Sequence, residues 1–201
     1  MTRIVLASKS PRRRELLSML GLKFECVPSG APEPVHNGET PGDTVLRLAA
    51  AKAQMVAKDL TGDVLVVAGD TLVATNGDVL GQPDSPEQAA AMLSRLSDSS
   101  HYVYTGVALI RPGRAPATGL SRSEVRFYPM SREEIEWYVA TGEPMDKAGA
   151  YAAQGIGAVF IRSIEGSFFN VMGFPVDLFY RLLPEVGLDL QELRDAPSAQ
   201  R

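Results

Sequence analysis

The stretch VLVVAGDTLVATNGDVLG, residues 64–81, decides the fold of this chain. Its first five residues are apolar and mostly β-branched, which is typical of a strand buried on both faces of a sheet. The strand continues to Thr75, and the dipeptide Asn76-Gly77 before a second short apolar run predicts a β-hairpin. A buried strand with an antiparallel neighbour indicates a mixed sheet.

Helix and strand signals alternate along the rest of the chain, which predicts the α/β class with a mixed central sheet and flanking helices. Further strands are predicted over residues 3–8, 101–110, 123–129 and 157–166. The stretch 26–42 is rich in proline and glycine, so it is predicted to be a loop.

Most of the predicted helices begin with a capping signal. Ser10 caps the first helix, which ends at Gly21, and Asp43 caps the second, over roughly 44–58. A serine three residues before a glutamine or glutamate predicts a capping box, and two helices have one. These pairs are Ser85 with Gln88 and Ser131 with Glu134, and a last helix is predicted over residues 175–183.

The totals describe an ordinary globular chain of 201 residues with 45% hydrophobic content and a net charge of -4. We expect one domain over residues 1–188 and a polar, frayed tail over 189–201. The acidic balance argues against nucleic-acid binding.

No segment is long and apolar enough to span a membrane, and the start lacks the apolar region of a signal peptide, so a cytoplasmic protein is expected. Cys26 is expected to be buried, and His36 and His101 to be surface or loop residues.

Two cations fall on helix faces that are otherwise apolar. Arg13 shares a face with Leu16, Leu17 and Leu20, and Lys52 lies seven residues after Val45 on the second helix. A buried cation needs an anionic partner, which a ligand or a structural carboxylate could supply equally well, and Arg13 could instead extend its guanidinium to solvent. Arg13 also lies in the first turn after a strand, at the sheet edge where α/β proteins bind ligands.

Asp70 interrupts the most apolar stretch of the chain, directly after Gly69. A carboxylate there must bind a metal, meet a cation, carry a raised pKa, or accept backbone N–H groups. Together with Lys147 and the arginines, these residues predict a polyphosphate site. Magnesium suits it, because this ion uses one or two carboxylates plus the phosphates of a substrate.

Four motifs in order carry a resemblance: LASKSPRRRELL, VVAGDTLV, GEPMDKAGAYAAQG and GSFFNVMGFPV. Over residues 3–186 the chain resembles the Maf (septum formation) family of nucleotide pyrophosphatases. The resemblance implies an inosine-triphosphatase-like fold with two lobes and a cleft, and often a homodimer. It also implies hydrolysis of a nucleoside triphosphate to the monophosphate and pyrophosphate, with a divalent metal, Mg²⁺ or Mn²⁺.

The resemblance assigns roles to residues of this sequence. Asp70 is the implied proton acceptor, and it holds the metal with Glu33, the acidic residue of the loop that follows the motif LASKSPRRRELL. The other implied catalytic residue is Lys52. Phosphate binding falls on Ser8, Ser10, Arg12, Arg13 and Lys147. Base selection falls on Arg12, Thr71 and Gln154, a trio similar to that of the subgroup acting on dTTP and UTP.

One position departs from the family pattern. Gln82 stands in LGQP, where members usually have a lysine that binds substrate, so a hydrogen-bond donor remains but a charge is lost. Two alternatives stay open beside the pyrophosphatase. One is a sugar nucleotidyltransferase-like enzyme, although ASKSPRR lacks the glycines usual in its first loop. The other is a non-catalytic nucleotide-binding regulator of cell division.

Overall fold

The computed structural model describes residues 2–34, 36, 38–75 and 77–194. Within these residues lie seven strands: β1 Arg3–Leu6, β2 Phe24–Cys26, β3 Val64–Thr75, β4 Asp78–Leu80, β5 Ser100–Ile110, β6 Ala117–Phe127 and β7 Ile161–Glu165. The α-helices there are α1 Pro11–Met19, α2 Pro41–Ala57, α3 Pro86–Leu96, α4 Arg132–Ala140, α5 Phe168–Met172, α6 Val176–Leu182 and α7 Leu190–Arg194. Short 3-10 turns cover Glu143–Asp146, Ala148–Ala150, Ile156–Phe160 and Leu183–Val186.

The strands form one sheet in the order β2-β1-β3-β5-β6-β7, and β4 pairs with β3. β1 runs parallel to both β2 and β3, whereas β4 is antiparallel to β3 and β7 is antiparallel to β6. The predicted mixed α/β sheet is therefore confirmed. Thr75 pairs with Asp78 in the predicted hairpin, while Asn76 lies outside the described residues.

The chain divides into two compact units, as the predicted two lobes require. The first contains Met1–Asp70, Thr105–Ser121 and Gly173–Arg201, and the second contains Thr71–Tyr104 and Arg122–Met172. Each has its own apolar core, around Val5, Ala49 and Val66 in the first and around Val73, Leu93 and Phe127 in the second. The predicted cleft and the single domain over 1–188 stay predictions.

A glycine in β5 lets helix α2 approach the first unit's strands closely. A Cβ atom at Gly106 would lie 2.3 Å from the carbonyl oxygen of Val45, far inside van der Waals contact. Val45 is fully buried in the first two turns of α2. Helix α2 therefore contacts the sheet through backbone as well as side chains, and this sets the depth of the residues on its buried face.

The helix caps confirm most of the predictions and correct two of them. The Oγ atoms of Ser10 and Ser85 accept the N–H groups of Arg13 and Gln88, and Ser131 with Glu134 forms a complete capping box. The cap of α2 is Thr40, not Asp43, because the Thr40 Oγ1 accepts the Asp43 N–H at 3.2 Å and Pro41 occupies the first turn. The Gln88 side chain accepts from the Asp84 N–H, so it does not complete a box with Ser85.

The predicted strand 157–166 is wrong in its first half. Residues Ile156–Phe160 form a 3-10 turn, and the strand begins only at Ile161. The Ile156 and Gly157 N–H groups donate to the Glu143 carboxylate and so are not available for a sheet. The predictions also missed β2, α5 and the earlier start of β6 at Ala117. Fraying is wrong for Leu190–Arg194, a helix with a buried Leu193, and residues 195–201 lie outside the described part.

Two single-residue predictions are also wrong. His101 is fully buried in β5, with its Nε2 atom 2.8 Å from the hydroxyl of Tyr151, and this burial lowers the pKa of His101 to about 4. Cys26 ends the short strand β2 and is exposed. None of the helices among the described residues is long and apolar enough to cross a membrane.

Candidate active site

Asp70 lies in the interior of β3, where apolar neighbours leave its side chain almost completely buried. The residue before it is a glycine, and there is little space for a side chain at this position. A Cβ atom at Gly69 would lie 3.2 Å from the Gly106 carbonyl oxygen and 3.3 Å from the Arg13 Nε. The missing side chain at Gly69 therefore leaves room for the Arg13 guanidinium against the strand that carries Asp70.

The partner of Asp70 is the lysine that the sequence placed on the apolar face of α2. The Lys52 Nζ atom lies 2.5 Å from Asp70 Oδ1 and 2.7 Å from Glu33 Oε1. Asp70 is 8% exposed and Glu33 is 56% exposed, so the ammonium joins a buried carboxylate to one that faces water. The structure thus brings together the three residues predicted as catalytic: Asp70, Glu33 and Lys52.

Two opposing effects act on the pKa of Asp70. Burial raises the pKa because the charged form loses water, while the charge and hydrogen bond of Lys52 and the charge of Arg13 lower it. The balance leaves the pKa of Asp70 above its ordinary value. Of the alternatives for this buried carboxylate, the structure shows a cationic partner together with a raised pKa.

Arg13 is held at the start of α1 by neighbours from its own unit. Its Nε donates to the Gly173 carbonyl oxygen at 3.0 Å, and its Nη1 donates to the Ser8 Oγ at 3.3 Å. The Ser8 Oγ also accepts the Ser10 N–H at 3.1 Å. Burial lowers the pKa of Arg13, and the negative charge of Asp70 opposes this. Ser8, Ser10 and Arg13 therefore form one connected group, and Arg12 is close enough to Arg13 to lower its pKa further.

A second acidic residue of the loop before α2 has a different partner. The Glu39 carboxylate accepts from the Arg47 guanidinium at 2.6 Å and from the Thr44 hydroxyl at 3.0 Å. These hydrogen bonds, that of Arg47 first, lower the pKa of Glu39 to about 2. Glu39 is thus committed to a structural ion pair, and Glu33 is the loop acid that reaches Lys52.

The carboxylates around Lys52 can supply only some of the ligands that a divalent cation needs. Among the described residues, no group of three or more histidine, cysteine or acidic side chains is placed to hold a metal ion. Asp70 and Glu33 nevertheless converge on one positive charge, and two carboxylates are what Mg²⁺ takes from a protein when phosphates and water supply the rest. The residues therefore fit a metal that binds together with a phosphate-bearing substrate.

The second unit carries the other predicted binding residues. The Lys147 Nζ donates to the Glu143 carbonyl oxygen at 2.9 Å and pairs with the Asp146 carboxylate. The Gln82 Nε2 donates to the Asp146 carbonyl oxygen at 3.1 Å, so Gln82 and Lys147 share a neighbour. Gln154 is exposed and Thr71 is half-buried at the start of this unit.

Two residues of the second unit escaped the sequence predictions. Tyr138 and Glu143 hydrogen-bond to each other and to the backbone on both sides of Gln154. Glu143 stands within the motif GEPMDKAGAYAAQG, and that was the available signal. Its spacing does not reveal which backbone groups the carboxylate meets.

Comparison with known proteins places the chain in a family. The sequence model described as "Maf-like protein" matches residues 3–186. A dTTP/UTP pyrophosphatase of Moorella thermoacetica is 50% identical over 191 residues, covering 94% of this chain and 98% of that protein. One of Syntrophus aciditrophicus is 47% identical over 186 residues, covering 92% and 90%. The Staphylococcus aureus Ham1 protein has a TM-score of 0.47 at 15% identity, over 79% of each chain. The chain belongs to the Maf-like protein family.

Proposed function

We propose that the protein hydrolyses nucleoside triphosphates, with dTTP and UTP preferred, to the nucleoside monophosphate and pyrophosphate. The observation that carries this proposal is the buried Asp70, held by Lys52 beside Arg13. A base and a set of cations are the two requirements for attack of water on a phosphate. The names of the relatives, dTTP/UTP pyrophosphatase, support the substrate class.

In this proposal Asp70 is the general base. Its carboxylate accepts a proton from a water molecule whose oxygen attacks the α-phosphorus. The bond between that phosphorus and the bridging oxygen to the β-phosphorus then breaks, and pyrophosphate leaves with the electron pair. A base works best when its pKa approaches the working pH, and burial moves the pKa of Asp70 in that direction.

The cations have the task of binding the phosphates. Arg13 is pre-positioned by the Gly173 carbonyl and the Ser8 hydroxyl, so little conformational freedom is lost when an anion binds. We assign phosphate binding to Ser8, Ser10, Arg12 and Arg13 in the first unit and to Gln82 and Lys147 in the second. Charge that develops on the leaving pyrophosphate is stabilised by such fixed donors. Lys52 keeps Asp70 ionised and ready to accept a proton.

A divalent cation, Mg²⁺ or Mn²⁺, belongs to the proposal, with Asp70 and Glu33 as its protein ligands. When bound it supplies positive charge that neutralises the phosphate oxygens. Selection of the base is assigned to Gln154, Thr71 and Arg12. Uracil and thymine offer an N3–H donor beside a carbonyl acceptor, and the amide of Gln154 can match both together.

Nucleotide hydrolysis with separate detection of phosphate and pyrophosphate tests the proposal. We expect dTTP and UTP, with Mg²⁺, to give the monophosphate and pyrophosphate faster than ATP or GTP do. Formation of a nucleoside diphosphate and orthophosphate would contradict cleavage between the α- and β-phosphates. Turnover that requires a sugar phosphate would indicate the transferase, and binding without turnover would indicate the regulator.

Two further expectations remain proposals of the same kind. We propose that the protein acts in the cytoplasm, as the sequence patterns led us to expect, and that it assembles as a homodimer, as the resemblance to the family implies. Sedimentation equilibrium of the purified chain measures the mass of the assembly directly. A single species at 21.6 kDa, the mass of one chain, would contradict the homodimer.

A further inference from the structure

The carboxylate of Glu143 meets three hydrogen-bond donors, and two of them belong to the backbone next to Gln154. Glu143 Oε2 accepts the Ile156 N–H at 2.9 Å, and Oε1 accepts the Gly157 N–H at 3.0 Å. The third donor is the hydroxyl of Tyr138, 2.7 Å from Oε1. The turn that follows Gln154 is therefore tied to a side chain that precedes it by eleven residues.

Tyr138 completes the arrangement from the other side. Its ring is buried, and its hydroxyl oxygen accepts the Ala152 N–H at 3.1 Å while the hydroxyl donates to Glu143. Backbone N–H groups on both sides of Gln154 are thus held by one pair of side chains. We call Tyr138 and Glu143 the clamp pair.

Glycines in the same turn are required by the clamp pair. A Cβ atom at Gly155 would lie 2.2 Å from Glu143 Oε2, and one at Gly157 would lie 2.4 Å from the Tyr138 hydroxyl oxygen. Both distances are too short for any side chain. The glycine directly after Gln154 therefore has a specific physical reason: it lets the Glu143 carboxylate reach the backbone.

The charge of Glu143 is stabilised by this environment. Burial alone would favour the neutral acid, but hydrogen bonds from the Gly157 N–H, Tyr138 and the Ile156 N–H, with the charge of Lys147, lower the pKa of Glu143 below its ordinary value. A carboxylate that accepts several hydrogen bonds is a strong acceptor and holds its partners firmly. The Gln154 side chain itself is exposed, so it owes its position to the backbone on which it stands.

We propose that Tyr138 and Glu143 are positioning residues that fix the backbone of Gln154 and so determine base selectivity. This inference rests on the proposed function, in which Gln154 reads the base. An amide that must match a donor and an acceptor at once loses its selectivity when its backbone moves by a fraction of a hydrogen-bond length. Phosphate chemistry depends on other residues and should change little.

Tyr138→Phe is the first test, because it removes the hydroxyl and keeps the buried ring. The Ala152 N–H then has no acceptor, and Glu143 loses one donor. We expect kcat/KM for dTTP and UTP to fall roughly tenfold, mainly through KM, with less than about threefold change for ATP, as one unmade hydrogen bond predicts. Tyr180→Phe is the matched control, since Tyr180 is an exposed tyrosine of α6, and it should leave all of these constants unchanged.

Glu143→Gln is the second test and removes the charge with almost no change of size. The amide has one acceptor and one donor group, so an N–H of Ile156 or Gly157 always faces a donor. The same loss of selectivity is expected. Glu136→Gln is its control, because Glu136 makes an exposed ion pair with Arg132 on α4. The carbonyl oxygen that Lys147 contacts belongs to the backbone of residue 143 and is retained in the variant.

The outcomes separate the inference from the function on which it rests. No turnover of any nucleotide by the unsubstituted protein would overturn the proposed function. Normal turnover by both variants with unchanged selectivity, or an equal loss for every base, would overturn only the inference. Hydrogen exchange on the unsubstituted protein applies even if a variant fails to fold. We expect slow exchange of the Ala152, Ile156 and Gly157 amides. Fast exchange would contradict the proposal that the clamp pair fixes this backbone.

Discussion

Each of the two units holds a carboxylate among hydrogen-bond donors, and the donors differ in kind. Asp70 in the first unit meets the ammonium of Lys52, at the end of a long side chain. Glu143 in the second meets two backbone N–H groups and a buried tyrosine. The pKa of Asp70 is raised, chiefly by burial, and that of Glu143 is lowered, because hydrogen bonds outweigh burial. A carboxylate fixed by backbone N–H groups is suited to hold structure, whereas one paired with a side-chain ammonium can exchange that partner for substrate or a proton.

Removing the carboxylate of Asp70 is expected to have the largest effect on activity. Asp70→Asn keeps the shape but cannot accept the proton, and general-base catalysis contributes roughly 10²–10⁴ in rate. We expect kcat to fall by about that factor. Isothermal titration should show that nucleotide binding is retained better than turnover.

Asp78→Asn is the control for this change, because Asp78 forms an exposed ion pair with Arg95 on the second unit. It should leave kcat within the error of the assay. An Asp70→Asn variant that keeps more than half of the parent kcat would remove Asp70 from the chemistry.

The next largest effect should follow from Lys52→Met, which removes the cationic partner that distinguishes Asp70 from Glu143. Without the ammonium, Asp70 stays buried but loses the main effect that lowers its pKa. Its pKa then rises further, so the base is ionised only at higher pH. The acid limb of kcat/KM against pH should move upward by about 1–3 units, as loss of a nearby opposite charge predicts.

A full pH profile of each protein measures this shift, and the sign is the critical result. An acid limb that stays in place would mean that the titrating group is not Asp70. A shift to lower pH would mean that Lys52 does not stabilise the ionised carboxylate.

Gln154→Glu sharpens the comparison in the second unit and should have a moderate effect. The change removes the NH₂ donor and leaves acceptors only, so N3–H can still be bound but O4 of thymine or uracil loses its donor. We expect kcat/KM for dTTP and UTP to fall roughly tenfold and that for CTP to fall less. Steady-state kinetics with all the bases is the measurement. Equal losses across the bases would show that Gln154 does not read the base.

Gln82→Lys should have the smallest effect. The Gln82 amide now donates to the Asp146 carbonyl, beside the Asp146–Lys147 ion pair. A lysine at this position restores the positive charge usual in the family. We expect KM to fall or kcat to rise by less than about fivefold, more clearly at low salt, because screening weakens exposed charges. If KM and kcat of the variant equal those of the parent protein at both low and high salt, position 82 lies outside the substrate site.

The sequence predicted the first unit's candidate site well, because its signals are anomalies of composition. Asp70 in an apolar strand and Lys52 on an apolar helix face each need a partner, and the structure makes them partners of each other. The strand over residues 64–75 was predicted equally clearly, since a strand that is buried on both faces requires a nearly continuous run of apolar residues.

The second unit was predicted less well, because its contacts are made by backbone. The strand expected from residue 157 begins at Ile161, since the Ile156 and Gly157 N–H groups bind Glu143, and no periodicity reports such a partner. His101 was placed at the surface by its polarity, yet Tyr151 satisfies one ring nitrogen inside the core. The cap at Thr40 was missed because Asp43 carries the same capping chemistry.

The close approach of Gly106 to Val45 has a consequence for protein engineering. Lys52 follows Val45 by two helical turns on the same face of α2, so a shift of the helix at Val45 is expected to move Lys52 as well. A methyl group at position 106 would have to displace the Val45 carbonyl. Because Val45 and Lys52 belong to the same helix, we expect the Lys52 ammonium to shift too. The absence of a side chain at Gly106 thus allows the close approach of helix α2 to strand β5. We therefore expect Gly106→Ala, usually a mild substitution, to change the distance between the charges of Lys52 and Asp70.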